Sequence, residues 1–341
     1  MRPSAGVVGG GVYGVAAALE LAATGFDVTL YERRPYILRG ATANNFFRIH
    51  SGYHYPRDLT TAAQSRNSAG AFAAVFPGVL AHPVPAWYAI AAEGSATTPE
   101  QFGEHCRTLG LGLQPGVLPC LRPGATAGAW LAAENYYDPD RLRSCAVRLL
   151  DAAGVTVVTG VTGPPGAHDV TVVTAYAGMN EALAGLGCDP VELQYELCEV
   201  ALVDWPAVAH LSLVVLDGPF CSIAPYRGRS IVYHVDHSVH DRRTGHAMPR
   251  WRPLRTRWRS IASAAAGFVT STPERYAGSL LATRVVLPRV DATDERPYVI
   301  SQAGDRVISV LSGKVGASVL AARDIADLAA TLLGIEAVAV P

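Results

Sequence analysis

Lysine is almost missing from this chain: one, Lys314, stands among 28 basic residues, and the other 27 are arginines. Neither sign of charge is in excess, because 29 acidic residues bring the formal net charge to -1. That balance provides no broad basic face for a phosphate backbone and argues against a nucleic-acid partner. The six cysteines (Cys106, Cys120, Cys145, Cys188, Cys198, Cys221) contain no C-x-x-C pair, in a chain long enough to fold without disulfide staples. Such usage fits a reducing, cytoplasmic setting. Long apolar runs are lacking too. The best candidate, residues 5–18, is interrupted by Gly9, Gly10, Gly11 and Gly14 and is followed by Glu20. It falls short of the roughly 20 apolar residues a bilayer requires. The expectation is a soluble, unprocessed protein with no membrane partner. There is no internal repeat or low-complexity linker, and the Pro/Gly cluster at 163–166 reads as a loop.

What is present is a large apolar fraction. Of 341 residues, 50% are hydrophobic and 17% charged, which supports a substantial core and excludes disordered or collagen-like classes. The length suggests two domains, or one with a large insert. The alanine and arginine bias points to a GC-rich bacterial source and, with it, to specialised metabolism. No heptad or apolar stripe in the sequence gives an oligomeric state.

The first 32 residues follow a βαβ plan: an apolar run at 5–8, a glycine turn, an Ala/Leu-rich helix at 12–24 and a second strand at 27–32. Residues 135–150 read as a helix started by Asp138 and Pro139, followed by a strand at 155–159. Residues 170–174 read as a fully buried strand. A strand at 307–311 and a helix at 314–333 return to the opening style. Segments 82–92 and 193–235, rich in Val, Leu, Tyr and Trp, read as an antiparallel sheet of a second unit. The expected fold class is therefore α/β, with a Rossmann-like nucleotide-binding domain beside an α+β substrate domain on a mostly antiparallel sheet. The first domain would be discontinuous, at 1–80, 135–190 and 296–341, and the second would take 81–134 and 191–295.

Gly9-Gly10-Gly11-Val12-Tyr13-Gly14 has the G-x-G-x-x-G spacing between a strand and a helix. Gly9 allows the tight turn, Gly11 lets a pyrophosphate approach backbone N–H groups at the helix start, and Gly14 lets helix and strand pack closely. Glu32 closes the second strand eighteen residues after Gly14, where a carboxylate can accept from an adenosine ribose. That disfavours NADP and leaves FAD or NAD.

At residues 40–57, GATANNFFRIHSGYHYPR, the chain resembles the FAD-dependent oxidoreductases of the D-amino acid oxidase and glycine oxidase (DAO) superfamily, in particular a branch with a GYHYPR-type motif. Three more blocks agree: VVTAYAG at 172–178; 284–297 with its Arg-x-x-x-Pro and Arg296-Pro297; and LSGKV at 311–315. The resemblance implies FAD held by Gly9, Gly11, Val12, Tyr13, Gly14 and Glu32 at the ADP end. It places Arg33, Thr42, Asn44 and Asn45 along the pyrophosphate and ring edge, and Val161 against the adenine through its backbone. Gly313, Lys314 and Val315 would sit at the pyrimidine end of the flavin, where a helix start and a lysine favour its anionic reduced form. The family's C-terminal attachment cysteine has no counterpart after Cys221. Non-covalent FAD is expected, with a histidyl link through His50 or His54 left open.

Flavin oxidation of an amine or alcohol needs a proton acceptor near the reacting carbon. Arg48, His50, Tyr53, His54 and Tyr55 lie within eight residues and supply an arginine, two imidazoles and two phenols. Arg48, His50 and His54 are the candidates for facing the flavin, with Tyr53 beside them; anchoring of the loop is the competing reading. Arg284 and Arg48 are candidate carboxylate clamps, while Arg227 and Arg229 flank a Gly228 turn. The His234, Asp236, His237, His240, Asp241 cluster has metal-like spacing but reads as a polar strand end or pocket wall, with His234 alternatively facing the flavin. The arginine-tryptophan stretch at 250–259 reads as a solvated helix with two anchoring tryptophans, the alternative being a grip for a phosphorylated or acidic partner. The expected activity is hydride transfer from a small amine, amino acid or hydroxylated substrate to flavin, reoxidised by O2. A non-redox flavin enzyme such as a sugar mutase, or a sensor without turnover, is the alternative.

Overall fold

A computed structural model of the chain describes residues 2–80, 85–164, 166–218, 220–288 and 297–335. Arg296 and the first three residues of the segment expected at 82–92 lie outside the described residues.

The short apolar run β1 (Ser4–Val8) is the centre of a six-stranded sheet. It pairs in parallel with β2 (Asp27–Glu32) on one side and β9 (Val170–Val173) on the other, so Val8 lies level with Tyr31 and Val173. β8 (Thr156–Thr159) extends the sheet beyond β2. β17 (Val307–Leu311) extends it in parallel beyond β9, and β16 (Val299–Gly304) closes that edge antiparallel. The chain leaves β1 in opposite directions to reach its two neighbours, which creates the crevice at strand carboxyl ends where such sheets bind ligands.

Helix α1 (Val12–Ala23) packs between this sheet and α7 (Ser318–Leu333). Its alanines at 16, 17 and 18 are buried, and these small side chains let it fit between two layers. α4 (Pro139–Ala152) also packs on α1. Its start matches the sequence signal: Asp138 Oδ1 accepts from the N–H groups of Asp140 (2.8 Å) and Arg141 (3.0 Å), with Pro139 at the first helical position. The tail of the expected 135–150 helix is right; its first two residues instead form β7 (Asn135–Tyr136), paired with β3 (Arg48–Ile49). α2 (Leu59–Val75) begins at an Asp58 cap, and α5 (Met179–Gly185) follows β9.

The second sheet has nine strands. Its path runs β14 (Val239–Gly245), β10 (Leu193–Asp204), β13 (Arg229–His234), β12 (Cys221–Tyr226), β11 (Ser212–Leu216), β4 (Ala86–Ala91), β6 (Thr126–Ala132) and β5 (Leu113–Pro115). β15 (Arg275–Val286) pairs with β10 off this path. Pairing is antiparallel except between β11 and β4, which are parallel. The sheet is thus mostly antiparallel, as expected; the parallel exception joins two strands that are distant in sequence, with no hairpin to fix their direction. α3 (Pro99–Thr108), opened by a Thr98/Gln101 capping box, covers the β4 end, and α6 (Trp258–Ala266) the β13 side.

Two helix boundaries differ from expectation. Residues 250–257 are irregular, because Pro249 and Pro253 interrupt the segment; α6 starts only at Trp258, after Glu199 has taken the Arg257 N–H (2.9 Å). At the C-terminus, Lys314 is extended and a 3-10 turn (Val315–Ala317) precedes α7. Gly316 is pressed against Ser68 and Ile49, where an added Cβ would come within 3.2 and 3.4 Å. Replacing the α4 cap, Asp138→Ala, should lower stability by about 1 kcal/mol with no change in fold, read from the denaturant midpoint.

Candidate active site

A cavity of about 580 Å³ opens at the carboxyl ends of β1, β2 and β9 and runs to the face of the second sheet. Its size is that of a ligand site. Of the cofactor and catalytic candidates named from the sequence, only Gly14 and Tyr53 do not line it.

The glycine turn divides its labour as the spacing suggests. Gly9 has φ +110°, and an added Cβ would lie 2.7 Å from the Ala175 backbone. At Gly14 a Cβ would lie 1.9 Å from the Gly9 carbonyl oxygen, so this residue serves packing. Gly11 is different. Its nearest neighbour would be Thr42 Oγ1 at 3.8 Å, and as the cap of α1 it carries no side-chain hydrogen bond. The open space there, at a helix start facing the cavity, fits a pyrophosphate. Thr42 Oγ1 accepts from the Val12 N–H at 3.3 Å on one side of that space.

Glu32 is buried, with Oε2 accepting from the Gly10 N–H (2.9 Å) and Oε1 from the Arg34 N–H (2.8 Å). Each oxygen retains a lone pair for a ribose hydroxyl. The Val161 N–H donates to the Glu32 carbonyl (3.2 Å), so a backbone contact to adenine from Val161 falls to its own carbonyl. Arg33 pairs with Glu181 at 3.3 Å on the outer wall. Asn44 and Asn45 spend their amide groups on the loop itself: Asn44 Nδ2 donates to the Gly40 carbonyl (2.9 Å), and Asn45 Nδ2 to the Ala41 carbonyl (2.8 Å) and Tyr137 hydroxyl (2.7 Å). They shape the wall more than they reach into it. Tyr13 links both ends of the chain: its hydroxyl donates to the Lys314 carbonyl (2.9 Å) and accepts from the Gly313 N–H (3.0 Å). Burial pushes its phenol pKa up, which keeps it a donor.

At the other end of the cavity β3 and the following turn bring Arg48, His50 and His54 together with Lys314. The two imidazoles lie 4.9 Å apart, Arg48 Nη1 is 3.5 Å from His54 Nδ1, and the Lys314 ammonium sits 4.8 Å from the Tyr55 ring centre. Burial, reinforced by Lys314, His54 and Arg48, holds the His50 pKa well below the usual histidine range. The ring is therefore neutral at neutral pH, and its buried Nδ1 has no hydrogen-bond partner among the described residues. Arg48 is buried as well; burial works against its charge, but Tyr136, Tyr88 and Glu134 hold it protonated. Its Nε donates to the Tyr136 hydroxyl (3.2 Å), and its Nη2 is buried without a partner among the described residues.

Three expectations change here. Tyr53 points into the core against Tyr88, its hydroxyl donating to the Gly112 carbonyl (2.9 Å), so it supports the loop and does not face the cavity. Arg284 does line the cavity, but its Nε is on the buried carboxylate of Glu196 and its Nη1 on Tyr233 (3.1 Å); its charge is already matched. His234 does not line the cavity: its Nδ1 accepts from the N–H groups of Asp236 (3.2 Å) and His237 (3.4 Å), closing the β13–β14 turn. Among the described residues no group of three or more His, Cys, Asp or Glu is placed to hold a metal. Arg227 and Arg229 form ion pairs with Asp140 and Asp204 at a turn away from the cavity.

Sequence reasoning missed Glu134 and Glu196. Glu134 accepts from the Ser51 N–H (2.6 Å) and the Tyr88 hydroxyl, and burial pushes its pKa up. Glu196 is held below the usual carboxylate range by Arg284 against the opposing effect of burial, and its second oxygen meets Arg242 at 2.9 Å. A carboxylate inside the apolar run at 193–203 was the available signal, since such a group is buried only with a partner.

A glycine turn followed by a buried acid on a mostly parallel sheet, joined to a cavity whose far end is built on a second sheet, is the design of a dinucleotide-dependent oxidoreductase. Residues 5–189, more than half the chain, match the family described as FAD dependent oxidoreductase (DAO), and the chain belongs to that family. FAD-dependent monooxygenase kojA of Aspergillus flavus is 29% identical over 252 residues, covering 64% of this chain and 57% of that protein. The chain thus matches little more than half the length of that relative. FAD-dependent monooxygenase FPY4 of Fusarium mangiferae is 43% identical over a shorter stretch of 74 residues, 22% of this chain and 20% of that protein. Among solved structures, NikD, an amino acid oxidase essential for nikkomycin biosynthesis, superposes with a TM-score of 0.73 at 16% identity, over 99% of both chains. Glycine oxidase from Geobacillus kaustophilus gives 0.69 at 16% identity, over 98% of this chain and 95% of that one. These likenesses show the fold.

The fit of the glycine turn separates two substitutions. Gly11→Ala should leave the melting temperature of the apoprotein unchanged while lowering FAD occupancy; Glu32→Ala should also lower FAD occupancy but cost some apoprotein stability, because the Gly10 and Arg34 N–H groups lose their acceptor. Gly14→Ala should lower apoprotein stability by several °C or prevent folding. Absorbance at the flavin bands and a thermal melt read the two effects apart.

Proposed function

We propose that this FAD-dependent oxidoreductase oxidises a C–H bond next to nitrogen or oxygen in a small amine, amino acid or hydroxylated substrate, with O2 as final acceptor. Bound without a covalent link, FAD supplies the two-electron acceptor. The observation that carries the reading is His50: an imidazole in the cavity wall, kept neutral by burial and by Lys314, His54 and Arg48, whose buried Nδ1 has no partner among the described residues. Such a ring is poised to take the substrate's N–H or O–H proton as the hydride departs. The resulting imidazolium would stand among cations, which favours passing the proton onward, and His54 at 4.9 Å is the adjacent ring. Arg48, with a free buried donor, and Lys314 orient the substrate from the same end of the cavity. The GYHYPR segment at 52–57 supplies part of this end, in keeping with a branch defined by that motif.

The names of the Aspergillus and Fusarium relatives favour a second reading, oxygen insertion by a monooxygenase. The two differ in where the electrons come from. Anaerobic addition of amines, amino acids, hydroxy acids and sugars to the purified flavoprotein distinguishes them. Bleaching by one substrate class supports the oxidase reading. Bleaching only by an external reductant such as a reduced nicotinamide moves the assignment to a monooxygenase or to a non-redox enzyme.

His50→Ala should keep FAD and slow flavin reduction by about 100-fold; an unchanged rate would assign His50 a structural role. The pH profile has a defined sign. A base acts when neutral, so activity is present above its folded-state pKa and is lost as pH falls through it. Since that pKa is depressed, kcat/KM should stay level through about pH 6.5, where an ordinary histidine would be half protonated, and decline only below. Lys314→Met removes one charge that opposes His50 protonation and should move the acid limb upward.

A further inference from the structure

Residues 242–259 contain seven arginines and no aspartate or glutamate. The whole chain has a net charge of -1, so everything outside that stretch sums to -8. Two of the seven have acidic partners, Arg242 on Glu196 and Arg243 on Asp241. Arg257 donates to the backbone carbonyls of Val239 (2.9 Å) and His240, and Arg259 lies 5.0 Å from the Trp258 ring centre. Arg250, Arg252 and Arg255 are exposed and make no ion pair among the described residues.

Their position matters as much as their number. Met248, 39% exposed, lines the cavity, and Arg250 follows it by two residues, no more than about 7 Å along the chain. Trp251 Nε1 donates to Thr283 Oγ1 at 2.8 Å, and Thr283 also lines the cavity. The irregular strap 248–257 is thus fastened to the rim, with Arg250 and Arg252 on either side of the fastening residue. Inside, the cationic path continues to Arg48 and Lys314, while the buried Glu196 is already matched by Arg284 and Arg242. The acids that line the cavity are engaged, Glu32 by the Gly10 and Arg34 N–H groups and Glu181 by Arg33; a rim of one sign of charge focuses the field and raises the local concentration of counter-ions.

We infer that the strap bearing Arg250, Arg252 and Arg255 is the capture element of this enzyme: it draws small substrates bearing a carboxylate or phosphate group to the cavity and disfavours cationic ones. The inference rests on the proposed oxidation in this cavity and specifies the substrate class for it. A charge-guided approach is salt-dependent: the screening length is about 30 Å at 0.01 M salt and falls to a few Å as ionic strength approaches 1 M.

The test uses the FAD-loaded protein and two artificial reductants, dithionite (an anion) and reduced methyl viologen (a cation), in anaerobic stopped-flow at about 0.01 M and about 0.5 M ionic strength. The variant is Arg250→Ser, Arg252→Ser, Arg255→Ser, all three outside the catalytic set. At low salt, reduction by dithionite should slow at least about threefold in the variant while reduction by methyl viologen quickens, and both differences should vanish at high salt. Equal rates for wild type and variant, or changes in the same direction for both reductants, overturn the inference. At fixed ionic strength, competition with dithionite by acetate identifies a carboxylate class and competition by inorganic phosphate a phosphate class, in wild type and more weakly in the variant. Competition by poly-glutamate alone makes the strap a docking face for an acidic protein and overturns the inference, as does competition by none of the three. Neither reductant needs His50 or a substrate, so this result stands or falls separately from substrate bleaching.

Discussion

The hydroxyl of Tyr13 couples the first turn of the chain to one of its last loops. It sits one residue inside α1 and bonds both the Gly313 N–H and the Lys314 carbonyl, 300 residues away. Two parts of the cavity wall, the glycine turn and the Gly313–Lys314 loop, come from distant parts of the sequence, and this buried phenol holds them in one register. Its neighbours agree with that function: α1 packs on α7, which follows the Lys314 loop, and β1 is two strands from β17. A cavity that spans two sheets can keep a fixed length only if such cross-links are rigid, and a buried tyrosine with both a donor and an acceptor role filled is a rigid one.

The chemistry depends on how charge is distributed around that chamber. Arg284 is neutralised by Glu196, and Glu134 faces the Arg48 segment through Ser51 and Tyr88. Arg48 and Lys314 both line that end of the cavity, and the imidazole of His50 beside them is kept neutral by burial and by their charges. The arrangement keeps an uncharged proton acceptor in a positive environment, where a substrate anion is stabilised and a protonated base is not.

Much of this was legible in the sequence where the signal is local. The β1–α1–β2 unit, the Gly9 to Gly14 spacing, Glu32, the Asp138 cap and the buried strand at 170–173 each follow from short-range pattern, and the structure has them within a residue or two. Parallel pairing of β4 with β11 could not be read, because no turn joins them. Tyr53 was misplaced for a related reason: in a chain segment that reverses at Gly52 (φ +107°), neighbouring aromatic residues face opposite ways, and only tertiary packing against Tyr88 decides which. The helix expected at 250–259 followed from composition, whereas Pro249 and Pro253 set the actual start at Trp258. Arg284 was found by residue type, but its partner Glu196 comes from cross-strand register on β10 and β15, which the sequence does not display.

Lys314 carries the only side-chain primary amine in the protein, and it sits in the cavity wall beside an aromatic ring. Every other basic side chain is an arginine or histidine, which keeps charge and hydrogen bonding but lacks the nucleophilic nitrogen of an alkylamine. The exterior therefore has no lysine to offer to acetylation, to carbonyl adducts from reactive sugars and aldehydes, or to amine-directed cross-linking. An aldehyde or other carbonyl compound that met this protein would find its one lysyl target in the cavity wall, beside Tyr55.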